Sequence, residues 1–221
     1  MTHPTHADGV TRDPLGPPPG PRSAPRRALA AVLGELRAVD GALYAAVAAT
    51  STPALDRALR RLSYAADHSK ISLGIAAALA LGGARARRAA LVGVGAVAVA
   101  SAATNLLGKR LVHRARPDRE AARVTVDRYV PMPASASFPS GHTAAAVAFA
   151  TAVGVVLPEA AVPLGALASA VGYSRVHTGV HYPGDVAAGA VLGIASAAAA
   201  LAAASARVPG RARQPSTFTA W

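Results

Sequence analysis

The feature that most restricts the fold is a series of apolar segments, rich in Ala, Val, Leu and Gly, that alternate with polar loops. They cover residues 71–83, 89–107, 143–157, 160–173 and 186–206. A helix crosses a bilayer with about 20 apolar residues, so the shorter segments need length from their flanks. Small residues also let membrane helices pack closely. The pattern predicts an all-α, polytopic membrane bundle with about five transmembrane helices.

Composition agrees with a membrane protein and limits its partners. Apolar residues make up 52% of the 221 residues, charged residues only 15%, and the mean hydropathy is +0.32. A soluble domain carries about 25% charge. The net charge of +12 favours an anionic partner. Only 4% of residues are aromatic and no nucleic-acid-reading motif occurs, so we expect membrane lipids and a phosphate substrate, with no nucleic acid.

The N-terminal third differs from the apolar segments. Residues 1–27 are rich in Pro and Arg and are predicted to be a disordered tail. Residues 28–66 have helical periodicity, but Glu35, Arg37 and Asp40 interrupt the first apolar stripe. Each such charge costs roughly 2.5–3.5 kcal/mol at the bilayer centre. We therefore expect amphipathic interfacial helices over 28–66 and a catalytic core over 70–206, within a domain of residues 28–208 followed by a tail at 209–221.

Three polar clusters lie where apolar segments meet loops. The first is Lys109 followed by Arg116–Pro117, and the second is the tetrapeptide 139–142, Pro-Ser-Gly-His. Ser140 is suited to cap the following helix, whose free N–H groups form a natural phosphate site near Gly141 and His142. Taken alone, the basic residues are compatible with interfacial anchors, and the tetrapeptide with an ordinary capped helix.

The third cluster contains Ser174–Arg175, His181 and Asp185. An Asp four residues after a His can accept a hydrogen bond from one ring nitrogen and leave the other as a nucleophile. Pro183 and Gly184 predict a turn into the last helix. His113 and His177 are expected to be structural.

Together the clusters read Lys-(six)-Arg-Pro, Pro-Ser-Gly-His and Ser-Arg-(five)-His-(three)-Asp. This series resembles the signature of the type-2 phosphatidic acid phosphatase family over roughly residues 70–206, and the Ala/Arg-rich composition resembles its actinobacterial branch. The resemblance implies that His181 forms a phosphohistidine, that Asp185 holds its ring, and that His142 is the general acid and later the base. It also implies a metal-independent, cofactor-free reaction. The phosphoryl oxygens would be held by Lys109, Arg116, Ser140, Gly141 and Arg175.

Other functions stay open at this point. An intramembrane metal enzyme would use His177, His181 and Asp185, although Pro183 interrupts the helix that would align them and the surrounding cations would repel a metal. A non-catalytic transporter or scaffold would use the clusters as anchors. A vanadate-dependent haloperoxidase shares the site architecture, but the spans and small size oppose it. Four substrates present the same terminal phosphate: phosphatidic acid, phosphatidylglycerol phosphate, polyprenyl pyrophosphate and polyprenyl-phosphoryl pentose phosphate.

The distribution of Lys and Arg predicts the orientation. With five spans, the side of the three clusters carries 16 of these residues and the opposite side six. The positive-inside rule then predicts a multi-pass plasma-membrane protein with its active site on the cytoplasmic face. If residues 28–50 also crossed, the site would face outward.

Overall fold

The structure, a computed structural model, describes residues 24–108, 110 and 112–206. Every regular element within these residues is a helix, as predicted, and short 3₁₀ turns connect several of them. The predicted C-terminal tail and Lys109 lie outside the described residues, as does the predicted N-terminal tail up to residue 23. The α-helices are α1 (Ala24–Ala49), α2 (Pro53–Ala65), α3 (Lys70–Ala80), α4 (Ala84–Ala103), α5 (Gly141–Val156), α6 (Ala161–His177) and α7 (Pro183–Ala206).

The chain divides into two compact units, residues 1–39 and 40–221. In the first, the structure describes the N-terminal part of α1, which begins four residues before the predicted start at residue 28. Its large apolar side chains, among them Leu29, Val32 and Leu36, are exposed. In the second unit, α1 buries Asp40, Tyr44 and Ala48. Their spacing of four places them on a single face of the helix.

The core of the second unit is built from small side chains. Helix α5 packs against α4, α6 and α7, and Ala residues fill the centre of the contacts among α4, α5 and α7. Gly189 and Gly193 of α7 face the backbone of α5 so closely that an added Cβ would lie 2.5 Å from the Ser140 carbonyl oxygen and 2.6 Å from that of Ala144. Side chains larger than Gly would separate the two helices. This close packing sets the start of α7 against the start of α5.

Within the described part of the chain, two helices satisfy the length and apolarity expected of a membrane span. They are α4 with the π-helical turn that follows it, over Ala84–Leu106, and α7. Helices α5 and α6 contain 16 and 17 residues, and the 3₁₀ turn Pro158–Ala160 joins them at the predicted position. Helix α3 has 11 residues and is about 16 Å long, well below the 30 Å hydrocarbon thickness. It is also shorter than the predicted segment 71–83.

Helix α2 is amphipathic, and its buried side chains are polar ones, although Arg57 and Arg61 are exposed. Asp56 and Ser63 are buried, whereas Leu55 is 51% exposed. The Asp56 carboxylate accepts hydrogen bonds from Arg128 Nε and Thr52 Oγ1, each at 2.9 Å. It also lies 2.9 Å from Nε2 of His177, which gives that histidine the structural contact expected for it. The cluster fastens the loop between α4 and α5 to α2 and to the end of α6.

The acidity of Asp56 follows from these contacts. Burial by itself raises the pKa of the carboxyl group, because it disfavours the charged form. The hydrogen bonds from Thr52 and His177, together with the charge of Arg128, outweigh burial and hold the pKa of Asp56 below its usual range. The carboxylate is therefore ionised at neutral pH and can neutralise Arg128.

Candidate active site

The predicted clusters meet at one end of the bundle. The backbone N–H of Ser140, just before α5, donates to the Asp185 carbonyl oxygen in the first turn of α7 at 2.9 Å. The Arg175 carbonyl oxygen, near the end of α6, accepts from the N–H groups of Val180 and His181. The Arg116 guanidinium reaches the same region and donates to the Val180 carbonyl oxygen at 2.7 Å. The structure thus brings together all the predicted site residues that it describes.

The two ring nitrogens of His181 have opposite surroundings. Nδ1 lies 3.5 Å from Oδ2 of Asp185 and 3.5 Å from Oγ of Ser137. Nε2 lies 3.4 Å from Nη1 of Arg116. A carboxylate can only accept a hydrogen bond and a guanidinium can only donate one. The proton of the neutral ring therefore belongs on Nδ1, and the lone pair of Nε2 faces Arg116.

His181 is kept uncharged by its position. Its side chain lies in the loop between α6 and α7, and the residue is 3% exposed. Burial lowers the pKa of His181 to about 4, and the nearby Arg116 charge acts in the same direction, against the hydrogen bond to Asp185. Since protonation occurs only as the pH falls towards 4, the imidazole is neutral at physiological pH. A neutral ring with a free lone pair is the form that can act as a nucleophile.

Asp185 is fully buried and both of its oxygens accept hydrogen bonds. Oδ2 accepts from the Ser137 hydroxyl and, at 2.9 Å, from the backbone N–H of Tyr182. Oδ1 accepts from Nη1 of Arg114 at 2.9 Å. These donors fix the carboxylate beside the His181 ring. Neither Ser137 nor Arg114 was predicted as part of the site.

Arg114 also connects Asp185 to α1. Its Nη2 lies 2.6 Å from Oδ2 of Asp40, and Oδ1 of Asp40 accepts the backbone N–H of Gly184 at 2.7 Å. Asp40, which the sequence presented as a solvated charge on an amphipathic helix, is instead a buried partner of the site. Its separation from Gly184 by 144 residues left no local signal of this contact.

His142 and Arg175 line a neighbouring pocket of about 510 Å³. Nε2 of His142 lies 2.7 Å from Oδ1 of Asp67, another wall residue that sequence reasoning missed. Arg175 is 2% exposed and donates from Nη1 to the hydroxyl and carbonyl oxygens of Ser63. Its Nε is buried and makes no hydrogen bond within the described part of the chain.

The Pro-Ser-Gly-His segment begins α5 as predicted. Ser140 is the N-cap, and its hydroxyl oxygen accepts from the backbone N–H and the hydroxyl of Thr143. Gly141 lies at the first turn and lines the pocket beside His142. The free N–H groups of a helix start are oriented towards an anion in such a place.

The three ligands of the metal hypothesis do not converge. Nε2 of His177 is directed at Asp56, whereas His181 is directed at Asp185. Among the described residues, no group of three His, Asp or Glu side chains is placed to hold a metal ion. This arrangement favours two separate His–carboxylate pairs over one metal centre.

Comparison with known proteins agrees with the geometry. Residues 89–209 match the family model of the PAP2 superfamily. The decaprenylphosphoryl-5-phosphoribose phosphatase of Mycobacterium tuberculosis is 42% identical over 147 residues, which are 64% of this chain and 76% of that protein. The enzyme of the same name from Mycolicibacterium smegmatis is 39% identical over 158 residues, covering 69% of this chain and 82% of that protein.

A solved structure shares the fold. The transmembrane PAP2-type phosphatidylglycerolphosphate phosphatase of Bacillus subtilis superposes with a TM-score of 0.64, over 80% of this chain and 90% of that one, at 21% identity. The sequence matches show the family, and the superposition shows that the helical fold is shared as well. The chain therefore belongs to the PAP2 superfamily of membrane lipid phosphatases.

Proposed function

We propose that this phosphatase removes the terminal phosphate of a polyprenyl-phosphoryl pentose phosphate through a phosphohistidine at His181. The observation that carries the mechanism is the placement of the His181 ring, with Nδ1 3.5 Å from Oδ2 of Asp185 and Nε2 3.4 Å from Nη1 of Arg116. An oriented, uncharged imidazole beside a guanidinium suits attack on a phosphoryl group, because the cation neutralises charge on the transferred oxygens.

The reaction takes two steps. Nε2 of His181 attacks phosphorus while the bond to the leaving oxygen breaks, and protonated His142 gives its proton to that oxygen. His142, now neutral, takes a proton from water as the water oxygen attacks the phosphohistidine and the P–N bond breaks. Inorganic phosphate leaves, and both histidines return to their starting states. Two displacements at one phosphorus require these two groups on opposite sides of the phosphate.

The phosphate would be held by the cationic side chains and the start of α5. Arg116 stands next to the attacking nitrogen, and Arg175 offers its buried Nε, a donor that a phosphoryl oxygen would satisfy. Gly141 exposes backbone to the pocket, and Ser140 orients that turn. We assign Lys109, which lies outside the described residues, to the same role from its place in the signature. Positioning and charge neutralisation supply most of the catalysis in phosphoryl transfer, and these groups supply both without a metal ion.

The choice of substrate rests on the relatives and on the pocket. The two mycobacterial relatives are named for decaprenylphosphoryl-5-phosphoribose. The pocket of about 510 Å³ falls within the range of small-molecule sites and accommodates a phosphorylated sugar. The lining includes the largely apolar segment Val130 to Pro133 as well as the polar side chains of Asp67, His142 and Arg175. Such a mixed lining suits a sugar whose lipid chain leaves the pocket towards the membrane.

A substrate panel tests this proposal. We expect purified enzyme in detergent to release phosphate from a polyprenyl-phosphoryl pentose phosphate with a kcat/KM at least about tenfold above that for phosphatidic acid, phosphatidylglycerol phosphate or polyprenyl pyrophosphate. A hydroxylated pentose makes contacts in the pocket that the other leaving groups lack, and one good hydrogen bond is worth about tenfold. Equal activity on all four lipids would reject the pentose phosphate as the preferred substrate but would leave the assignment as a lipid phosphatase unchanged.

Metal independence gives a second test. We expect EDTA to leave phosphate release unchanged and vanadate to inhibit it, because vanadate adopts a five-coordinate geometry like that of the transferred phosphoryl group. Activity that disappears in EDTA and returns with a divalent ion would instead support the metal enzyme.

For the membrane arrangement we propose five crossings, with the segment 28–66 at the interface and the site on the cytoplasmic face. The exposed Leu side chains of α1 and α2 suit contact with lipid, and the buried Asp40 and Asp56 suit contact with protein. The count of Lys and Arg, 16 against six, supports the orientation. If α1 crossed as well, the four cations of the tail would change sides and the counts would become 12 and ten, which removes the bias.

Labelling of a single cysteine tests the orientation. The chain contains no Cys, and Thr125 is exposed in the loop on the active-site side. We expect Thr125→Cys to react with an impermeant maleimide only after the cells are opened. A cysteine at Arg85, exposed at the opposite end of the bundle, should react in intact cells. The reverse pattern would place the active site outside.

A further inference from the structure

Asp67 occupies a turn that the family signature does not include. It begins the 3₁₀ turn Asp67–Ser69 between α2 and α3. The next two residues, His68 and Ser69, have positive φ angles of 55° and 58°, which side chains other than Gly rarely adopt. This sharp turn ends α2 and places the Asp67 carboxylate in the wall of the pocket, next to His142.

The contact between Asp67 and His142 defines the state of the imidazole. Nε2 of His142 lies 2.7 Å from Oδ1 of Asp67, and a carboxylate accepts but does not donate. Nε2 therefore carries a proton, and Nδ1 is the nitrogen available to a leaving group. The two histidines of the site thus have opposite arrangements: His181 presents Nε2 and has its carboxylate on Nδ1, whereas His142 presents Nδ1 and has its carboxylate on Nε2.

The surrounding charges explain why His142 needs this partner. A general acid must start as the imidazolium, yet burial, and next the Arg175 cation of α6, lower the pKa of His142 to about 4. His181, from the loop between α6 and α7, acts in the same direction only when its own ring is protonated, which requires a pH near 4. Asp67, from the turn before α3, favours the imidazolium through its charge and its hydrogen bond. The same carboxylate lies 3.9 Å from Nη1 of Arg175.

We propose that Asp67 is a positioning residue that orients His142 and favours its imidazolium form for transfer of a proton to the leaving alcohol. This inference rests on the proposed role of His142 as general acid. As the P–O bond breaks, Nδ1 gives its proton to the leaving oxygen. Neutral His142 keeps the proton on Nε2, which stays hydrogen-bonded to the Asp67 carboxylate. When water attacks the phosphohistidine, Nδ1 takes one proton from it, which restores the imidazolium.

The dependence on leaving group tests this role. A poor leaving group such as an alkoxide needs the proton, whereas 4-nitrophenolate leaves without it. The measured quantity is kcat/KM, which reports only formation of the phosphoenzyme. We expect Asp67→Asn to lower kcat/KM by about 10²-fold for the alkyl phosphate ester on which the wild-type enzyme is most active, within the usual range for acid catalysis. We expect a change of less than about threefold for 4-nitrophenyl phosphate. Asp67→Glu, which restores the charge, should recover part of the alkyl activity.

Two control variants separate the possible failures. Asp127→Asn makes the same chemical change at an exposed residue of the neighbouring loop and should leave both substrates unaffected. His142→Ala should show the leaving-group dependence in a stronger form. If His142→Ala shows the dependence on leaving group but Asp67→Asn lowers kcat/KM equally for both substrates, Asp67 has only a structural role. If His142→Ala lowers kcat/KM equally for both substrates, His142 is not the general acid.

Discussion

We expect His181→Ala to lower phosphate release by roughly 10⁴-fold or more, since removal of a covalent nucleophile leaves only binding and electrostatic stabilisation. The protein should stay folded and inserted in the membrane. The side chain is buried but contributes only long contacts to Asp185, Ser137 and Arg116, at 3.4 to 3.5 Å. The measurement is kcat/KM in detergent beside the thermal unfolding midpoint. Wild-type turnover by this variant would contradict the assignment of the nucleophile.

Other replacements at the same site should lower activity to different degrees. Asp185→Asn should cause a large but incomplete loss, because Ser137 and Arg116 still restrict the ring. His142→Ala should be nearly as severe as His181→Ala on alkyl substrates. His177→Ala is the matched control, since it removes a buried histidine whose partner is Asp56, and Asp56 keeps Arg128. Its effect on kcat/KM should be mild, with a cost to stability of about 1 kcal/mol for the lost hydrogen bond.

The second large effect is expected for Arg114→Ala. This change leaves Asp185, which is fully buried, and Asp40 without their shared cation. Removal of one partner of a buried pair costs roughly 3–5 kcal/mol, and the lower end applies because the Arg114 side chain is 22% exposed. The freed carboxylate of Asp185 would also shift beside His181, and a misplacement of about 1 Å can lower the rate about 10²-fold. We therefore expect both the unfolding midpoint and kcat/KM to fall.

The control for Arg114 is Arg57→Ala, which removes the same charge from an exposed position of α2. Arg57→Ala should change neither the unfolding midpoint nor kcat/KM. An Arg114→Ala variant with wild-type stability and activity would show that the contacts to Asp40 and Asp185 carry no energetic weight. A variant with normal stability and low activity would confine the effect to the orientation of Asp185.

The sequence predicted the parts of the site whose chemistry lies in short segments. Ser140 caps α5 because a Ser directly before an apolar helix has its hydroxyl within reach of the next turn. His181 and Asp185 come together because the intervening turn brings residues four apart into contact. These relations depend on local backbone geometry, which residue spacing largely determines. The roles of these residues stay predictions.

The carboxylates around the site could not be predicted in the same way. Asp40 and Asp67 reach Arg114 and His142 across 74 and 75 residues, and no spacing rule relates such positions. Periodicity also fails for α2. It shows that Asp56 and Ser63 share a face, but it does not tell whether lipid, water or protein covers that face. Arg128 and His177, which make the buried face favourable for Asp56, are distant in the sequence.

The length of α3 is another feature that hydropathy does not predict correctly. The apolar run 71–83 predicted a span, yet the helix ends at Ala80, and the turn of positive φ at His68 and Ser69 prevents it from continuing into α2. Composition reports which residues prefer lipid and not where the backbone turns. The turn has its own consequence, since it presents Asp67 to the pocket.

Identification of the phosphoenzyme tests the central claim most directly. Wild-type enzyme mixed with 4-nitrophenyl phosphate and quenched in alkali should carry one phosphate on His181, located by mass spectrometry of its peptides. His142→Ala should accumulate more of it, because a good leaving group departs without an acid while hydrolysis still needs a base. His181→Ala should carry none. Phosphate on any other residue would contradict a phosphohistidine at His181, as would inversion of configuration at phosphorus, which marks a single displacement.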